Sequence, residues 1–270
     1  MNAKDIFKKP IARFKSFLRY TGGVVALFLE AVFWAFVPPY RRKQIAEQMY
    51  KVGVNSLPIV LLTSLFTGMV LALQSAYQMQ RISAQMYIAS LVALSMAREL
   101  GPVLTALVVA GRVGASITAE LGTMKVTEQI DALETLATNP IKYLVVPRFI
   151  ALIIMLPLLT VYAVFIGIAG GYIVGVFKLH ISSNMYINMT TNPLGLKDVY
   201  TGLLKSVVFA IIIAIVSCYE GFRTSGGAEG VGRSTTLSVV TSFMLIIAAD
   251  CLFTALFYFC LLYTSDAADE

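Results

Sequence analysis

Arg98, Glu99, Arg112 and Glu120 fall inside one run, "ARELGPVLTALVVAGRVGASITAELGTMKVTEQIDAL", from Ala97 to Leu133. The first half of that run is otherwise apolar enough to enter a bilayer. A charged side chain at mid-membrane costs at least about 2.5 kcal/mol, so it must face a partner or a water-filled cavity. Lys205 and Asp250 interrupt two later apolar runs in the same way. Counted from the outer ends of their segments at 1.5 Å per residue, Arg98 and Glu99 lie about 16 Å deep and Lys205 about 9 Å. Asp250 falls at a depth similar to that of Arg98 and Glu99. Charges that sum to zero at matching depths predict one network. Its chemistry is recognition or structural pairing, because no nucleophile or metal cluster accompanies it. Gly101-Pro102, directly after the Arg-Glu pair, predicts an interrupted helix at that depth.

The elements that carry these residues are membrane helices. Hydrophobic residues make up 58% of the 270-residue chain and charged residues only 13%, against about 25% charged in soluble domains. Mean hydropathy is +0.78. The expected fold is an all-α integral membrane protein with five spans, at about 54–78, 87–119, 146–177, 199–219 and 237–262. Residues 1–53 read as interfacial and cytoplasmic helices, 54–262 as the five-span domain, and 263–270 as a tail foreign to it. Phe7, Ile11, Phe14 and Leu18 fall on one helical face among Lys8, Lys9, Arg13, Lys15 and Arg19, the pattern of a helix lying on an anionic leaflet. "VVALFLEAVFWAFVPP", Val24 to Pro39, is short, holds Glu30 and reads as an interfacial helix. No cleavable signal segment is expected.

Basic residues set the orientation. With the N-terminus in the cytoplasm, Arg41, Arg42, Lys43, Lys51, Lys125, Lys142, Arg148, Arg223 and Arg233 join the N-terminal cluster inside. Arg81, Lys178 and Lys197 remain outside, and so does the C-terminus. This topology accounts for the net charge of +6, and nucleic acid is not an expected partner. "GAEGVGRS", Gly227 to Ser234, has the spacing of a phosphate-binding loop, but it joins two membrane helices and reads as a flexible cytoplasmic turn. Gly167, Gly171 and Gly175 repeat every four residues and predict a close helix contact, within one subunit or between two. Cys218, Cys251 and Cys260 lack ligand spacing and read as small buried hydrophobes. His180 has no apparent role.

Between the second and third spans the sequence stops being membrane-like. Thr127 reads as an N-cap, Ile130, Leu133 and Leu136 as an apolar stripe, and Asn139-Pro140 as a helix end. A short amphipathic helix is therefore expected in the cytoplasm, placed to dock a soluble partner.

At this point the long stretch through Arg148, together with "GGAEGVGRSTT" and "AADCLFTALF", closely resembles the MlaE-type permeases. These are the membrane subunits of ABC transporters that move phospholipids together with MCE-domain proteins. The resemblance implies a homodimer in the bacterial inner membrane, an ABC ATPase subunit, an MCE-domain periplasmic protein and a small cytoplasmic accessory protein. No cofactor is implied. "EQIDAL" would be the coupling helix, with Glu128, Gln129, Asp131 and Leu133 meeting the ATPase. Arg98, Glu99, Lys205 and Asp250 would hold a phospholipid head group at the dimer interface, with acyl chains along Leu71, Gln74, Tyr77 and Gln78. Glu120 would lie near the inner membrane edge and Arg112 would face the bundle interior. "LATNP" departs from the family pattern, with Ala137 where a glycine is expected. The alternatives are an ion-coupled secondary transporter, which usually shows internal repeats, and a non-transporting scaffold subunit.

Overall fold

The computed structural model describes the backbone of residues 3–39, 41–80 and 84–266, and the side chains of residue 15 and of residues 18–39, 41–80 and 84–257. The described chain is helical throughout. Helix α1 spans Ala3–Phe36, α2 Arg42–Val52, α3 Leu57–Gln80, α4 Ile88–Ser95, α5 Gly101–Val109, α6 Ala115–Val126 and α7 Gln129–Thr135. Then follow α8 (Val146–Ile173), α9 (Ser183–Thr191), α10 (Leu196–Phe222) and α11 (Gly227–Asp266). Single π turns join α4 to α5 (Met96–Leu100) and α5 to α6 (Ala110–Gly114), so the second span is one unbroken helical path.

Among the described residues, six stretches are long and apolar enough to cross a bilayer. Four of them contain expected spans, and a fifth, Gly227–Phe257, covers the expected 237–262 as far as residue 257. The sixth, Leu18–Phe36, belongs to α1, which joins two elements that the sequence pattern had kept apart. Its contacts show how it sits. Tyr20 stacks edge-on against Tyr219 at the end of α10, with centroids 5.2 Å apart. Near the other end, Lys142 lies 5.1 Å over the Trp34 ring and bonds the carbonyl of Pro38 at 3.1 Å, just before α8 begins. The end of α10 and the start of α8 belong to the same end of the bundle. Tyr20 and Trp34 are about 21 Å apart along a helix, so α1 runs across that end and not along the bundle. The side chains of Phe7, Ile11, Phe14 and Cys260 lie outside the described ones, and so do the turn at Arg81 and the last part of the tail.

Close backbone approach holds the outer half together. Gly68 of α3 meets Gly167 of α8 so tightly that a Cβ at Gly68 would strike the Gly167 carbonyl. Gly171 and Gly175 accept the Tyr186 ring of α9, which is buried. The glycine repeat is therefore a contact within this chain. It also places α9, an element hidden in a stretch that reads as a polar loop.

Two turns differ from expectation. α11 starts at Gly227, so "GAEGVGRS" is the first part of a helix, and the turn is made by Gly226 and Gly227 at φ +92° and +70°. Asn139 does not end the preceding helix. Its Oδ1 accepts the backbone N–H groups of Ile141 and Lys142 at 2.9 and 3.2 Å, capping the helical run that follows. Cys218 is buried as expected, but Cys251 is exposed on α11.

Candidate functional site: two charged clusters in the bundle

The cluster named outer, after the orientation expected from the basic residues, centres on Lys205. Its ammonium donates to Glu99 Oε2 at 2.6 Å, Asp250 Oδ1 at 2.9 Å and Thr254 Oγ1 at 2.8 Å. The Thr254 hydroxyl contacts Glu99 Oε1 at 3.0 Å. The three charged groups come from α10, the π turn Met96–Leu100 and α11. Gly202, one turn before Lys205, packs directly on the Ala97 carbonyl and brings α10 against that turn. The π turn is the local device: the Gly101 N–H reaches the Met96 carbonyl, and Pro102, which has no N–H, follows without breaking the path. The expected interruption is therefore a widened turn. It turns Glu99 toward Lys205.

Arg98 does not join this network. Its Nε bonds Asp198 Oδ1 at 2.7 Å. Asp198 lies seven residues before Lys205, about 10 Å nearer the outer end of α10. Arg98 can reach it because its long side chain extends toward the water-exposed end. The neutral four-residue network is corrected to two groups. Glu99, Lys205 and Asp250 carry two negative charges against one positive. The Lys205 side chain is 2% exposed, while Glu99 keeps 38% and Asp250 22% exposure. One side of the cluster is open.

The span-one residues do not converge on it in a single chain. Leu71 is half-buried against the Val92–Met96 core, and Gln74, Tyr77 and Gln78 are exposed on α3. They continue a stripe of exposed apolar residues on α3 that includes Leu62, Phe66, Val70 and Leu73.

The inner cluster was missed as a cluster. Arg148, 8% exposed, donates to Glu120 Oε2 at 2.8 Å and to the Leu144 carbonyl at 2.7 Å. Lys51 approaches Glu120 at 3.9 Å. Arg112 is exposed, not interior, and donates to Ser56 Oγ at 2.8 Å. The signal was present: Glu120 and Arg148 stand at the inner ends of consecutive, hence antiparallel, spans.

The helix expected in the cytoplasm is α7, and it is shorter than the sequence suggested. Thr127 does not cap it, since its hydroxyl bonds back to the Thr123 carbonyl at 2.8 Å. The N-cap position is Glu128, at φ +59°. The apolar stripe divides: Ile130 is buried in the core and Leu133 packs partly on it, while Leu136 is 75% exposed. Gln129 is exposed, and Asp131 is already paired with Lys125 at 2.7 Å. The outward face thus presents Glu128, Gln129, Glu134 and Leu136. Ala137, at φ +53°, occupies the left-handed conformation for which glycine was expected.

A multi-pass helical bundle with paired charges inside its spans and an exposed short helix between two of them is the architecture expected of a membrane permease. Residues 45–256 match the family described as Permease MlaE, and the chain belongs to it. It is similar to a probable ABC transporter permease protein of Rickettsia typhi, 51% identical over 87% of this chain and 92% of the relative. A Synechocystis protein of the same description is 45% identical over 76% of this chain and 78% of its own length. One from Pyropia yezoensis is 38% identical, over 90% of both chains. The chain is accordingly a permease subunit of an ABC transporter.

Proposed function

We propose that this permease moves phospholipid across or out of the bacterial inner membrane as a homodimer. A separate ATPase would drive it, and an MCE-domain protein would receive or deliver the lipid on the periplasmic side. The observation that carries this reading is the open side of the outer cluster. A carboxylate in a span, left facing hydrocarbon, is costly, so the exposed flank of Glu99 and Asp250 calls for a second copy or a polar ligand. α11 supports the second copy: only 11% of its apolar stretch is buried within one chain. The net negative cluster suits the cationic part of a zwitterionic head group, while Arg98, half-exposed nearer the outer surface, suits its phosphate. Acyl chains would follow Leu71, Gln74, Tyr77 and Gln78.

The orientation follows the basic residues. Lys15 and Arg19 precede the apolar part of α1, and Arg41, Arg42 and Lys43 follow it. Both ends belong on the cytoplasmic side, which agrees with α1 lying across one end of the bundle. α1 is then an interfacial helix, and the five later stretches span. α7 faces the cytoplasm, where Glu128 and Gln129 meet the ATPase.

Reconstitution of the permease with its ATPase in lipid nanodiscs tests this. Photo-crosslinkers at Leu71, Gln74 and Glu99 should capture phospholipid, and Glu99→Gln should lower ATP-dependent lipid transfer with the complex intact. Capture confined to positions on the outside of the dimer would refute the path.

A further inference from the structure

We propose a second phosphate-recognition site, on the cytoplasmic half of the bundle, that holds the head group of an inner-leaflet phospholipid. A cavity of about 390 Å³ opens between α2, the helical turn Val54–Ser56 before α3, the π turn Ala110–Gly114 and α6, and its polar lining is Gln48, Lys51, Asn55, Arg112, Ser116 and Glu120. Its charges do not cancel. Arg148 already holds Glu120 at 2.8 Å, and Lys51 stands farther from that carboxylate, at 3.9 Å. Arg112 forms no ion pair among the described residues, and it donates to the hydroxyl of Ser56. Glu47 meets Lys51 at 3.5 Å, but its side chain is 61% exposed, so the pair is weak. Two cations therefore line a polar cavity with one carboxylate that is already satisfied.

The site commits to a lipid because of what adjoins it. Asn55 begins a helical face that continues through Ile59, Leu62, Phe66 and Val70, at i+4, i+7, i+11 and i+15, and all four are exposed and apolar. A phosphate at Lys51 and Arg112 would direct its acyl chains onto this stripe. Arg112 sits eight residues above Glu120, about 12 Å deeper. Its guanidinium reaches Ser56, at the start of the neighbouring first span, which is how an arginine in an inner leaflet brings its charge to the head-group level. The inference rests on the cytoplasmic N-terminus proposed above, but not on lipid binding by the outer cluster.

The test is lipid retention by the full-length permease purified in detergent and measured by native mass spectrometry with added phosphatidylglycerol. The double variant Lys51→Ala/Arg112→Gln should lower retention about tenfold, the loss expected when a charge-assisted bond to phosphate disappears. Asn55→Asp puts a carboxylate at an exposed lining position, does not disturb packing, and should act in the same direction. Diacylglycerol, which lacks the phosphate, should be retained weakly by every form. Unchanged retention in both variants overturns the site, and so does equal retention of diacylglycerol. Displacement of the lipid by millimolar inorganic phosphate would assign the cavity to a free anion instead. The same loss of retention should persist in a Glu99→Gln background, where binding at the outer cluster is already weakened, so failure here is distinguishable from failure at the outer cluster.

Discussion

The outer and inner clusters use the same residue types in opposite ways. Around Lys205, two carboxylates and a hydroxyl converge on one ammonium that is 2% exposed, and the group carries a net negative charge. At the other end, Arg148 satisfies Glu120 while Lys51 and Arg112 are left around an open cavity, with a net positive charge. The difference teaches how a bundle places charges in an apolar medium. The outer cluster is assembled by side chains from three separate helical segments and depends on all of them. The inner one is built on a single pair, a buried Arg148 with a part-exposed Glu120, with loosely held cations added nearby, where snorkelling makes them affordable.

The largest effect is expected at the centre of the outer cluster. Lys205→Met should destabilise the chain by about 3 kcal/mol, because it leaves two carboxylates facing each other without their cation. Thermal unfolding of the detergent-solubilised protein measures it. Restoring stability with Asp250→Asn in the Lys205→Met background would confirm that the carboxylates were the cost. If Lys205→Met unfolds at the wild-type temperature, the cluster does not hold the bundle.

Arg148→Ala should come next, at about 2 kcal/mol, since the Leu144 carbonyl loses its buried donor and Glu120 its partner. Lys51→Ala and Arg112→Gln should each fall well below that in the same assay. Comparable losses at all three positions would make the inner cluster a cooperative unit like the outer one, and the contrast would fail.

How much of this was legible in the sequence depends on periodicity and on side-chain reach. The five spans, the shared depth of Glu99 and Asp250, and the close glycine contact follow from hydropathy and spacing, which local physics controls. The partner of Arg98 was not legible. Depth counts backbone position, whereas the guanidinium extends about a turn and a half along α10 to Asp198. Thr254 was invisible because a threonine in an apolar run carries no signal until a neighbouring helix brings a lysine to it. The two halves of α1 were read separately because a basic amphipathic pattern before the glycines Gly22 and Gly23 gives way to an apolar run after them. The structure continues through them, and Gly23 instead admits the Tyr219 ring.

A third effect separates stability from assembly. Glu128→Lys/Asp131→Lys removes only the exposed Asp131–Lys125 pair from this chain, so its stability should change by less than about 1 kcal/mol. Co-purification of the ATPase should nevertheless fall, because the outward face of α7 changes sign. If ATPase recovery and coupled transport are both unchanged, α7 is not the docking element.

The smallest effect is expected at Arg98. Its bond to Asp198 leaves the arginine side chain 50% exposed, and such pairs contribute about 0.2–1 kcal/mol. Asp198 also accepts the Gly195 N–H at 2.9 Å, so it stays partly satisfied when the arginine is replaced. Arg98→Gln should therefore shift unfolding far less than Lys205→Met, although the two residues stand on adjoining elements and were expected in one network. Combining them gives the decisive measurement. Independent groups should add to within about 0.5 kcal/mol, whereas members of one network should not. A coupling larger than that would return Arg98 to the outer cluster and restore its charge balance. Additivity would leave Arg98 free to meet a phosphate nearer the outer surface, with reduced lipid transfer at near-normal stability as its signature.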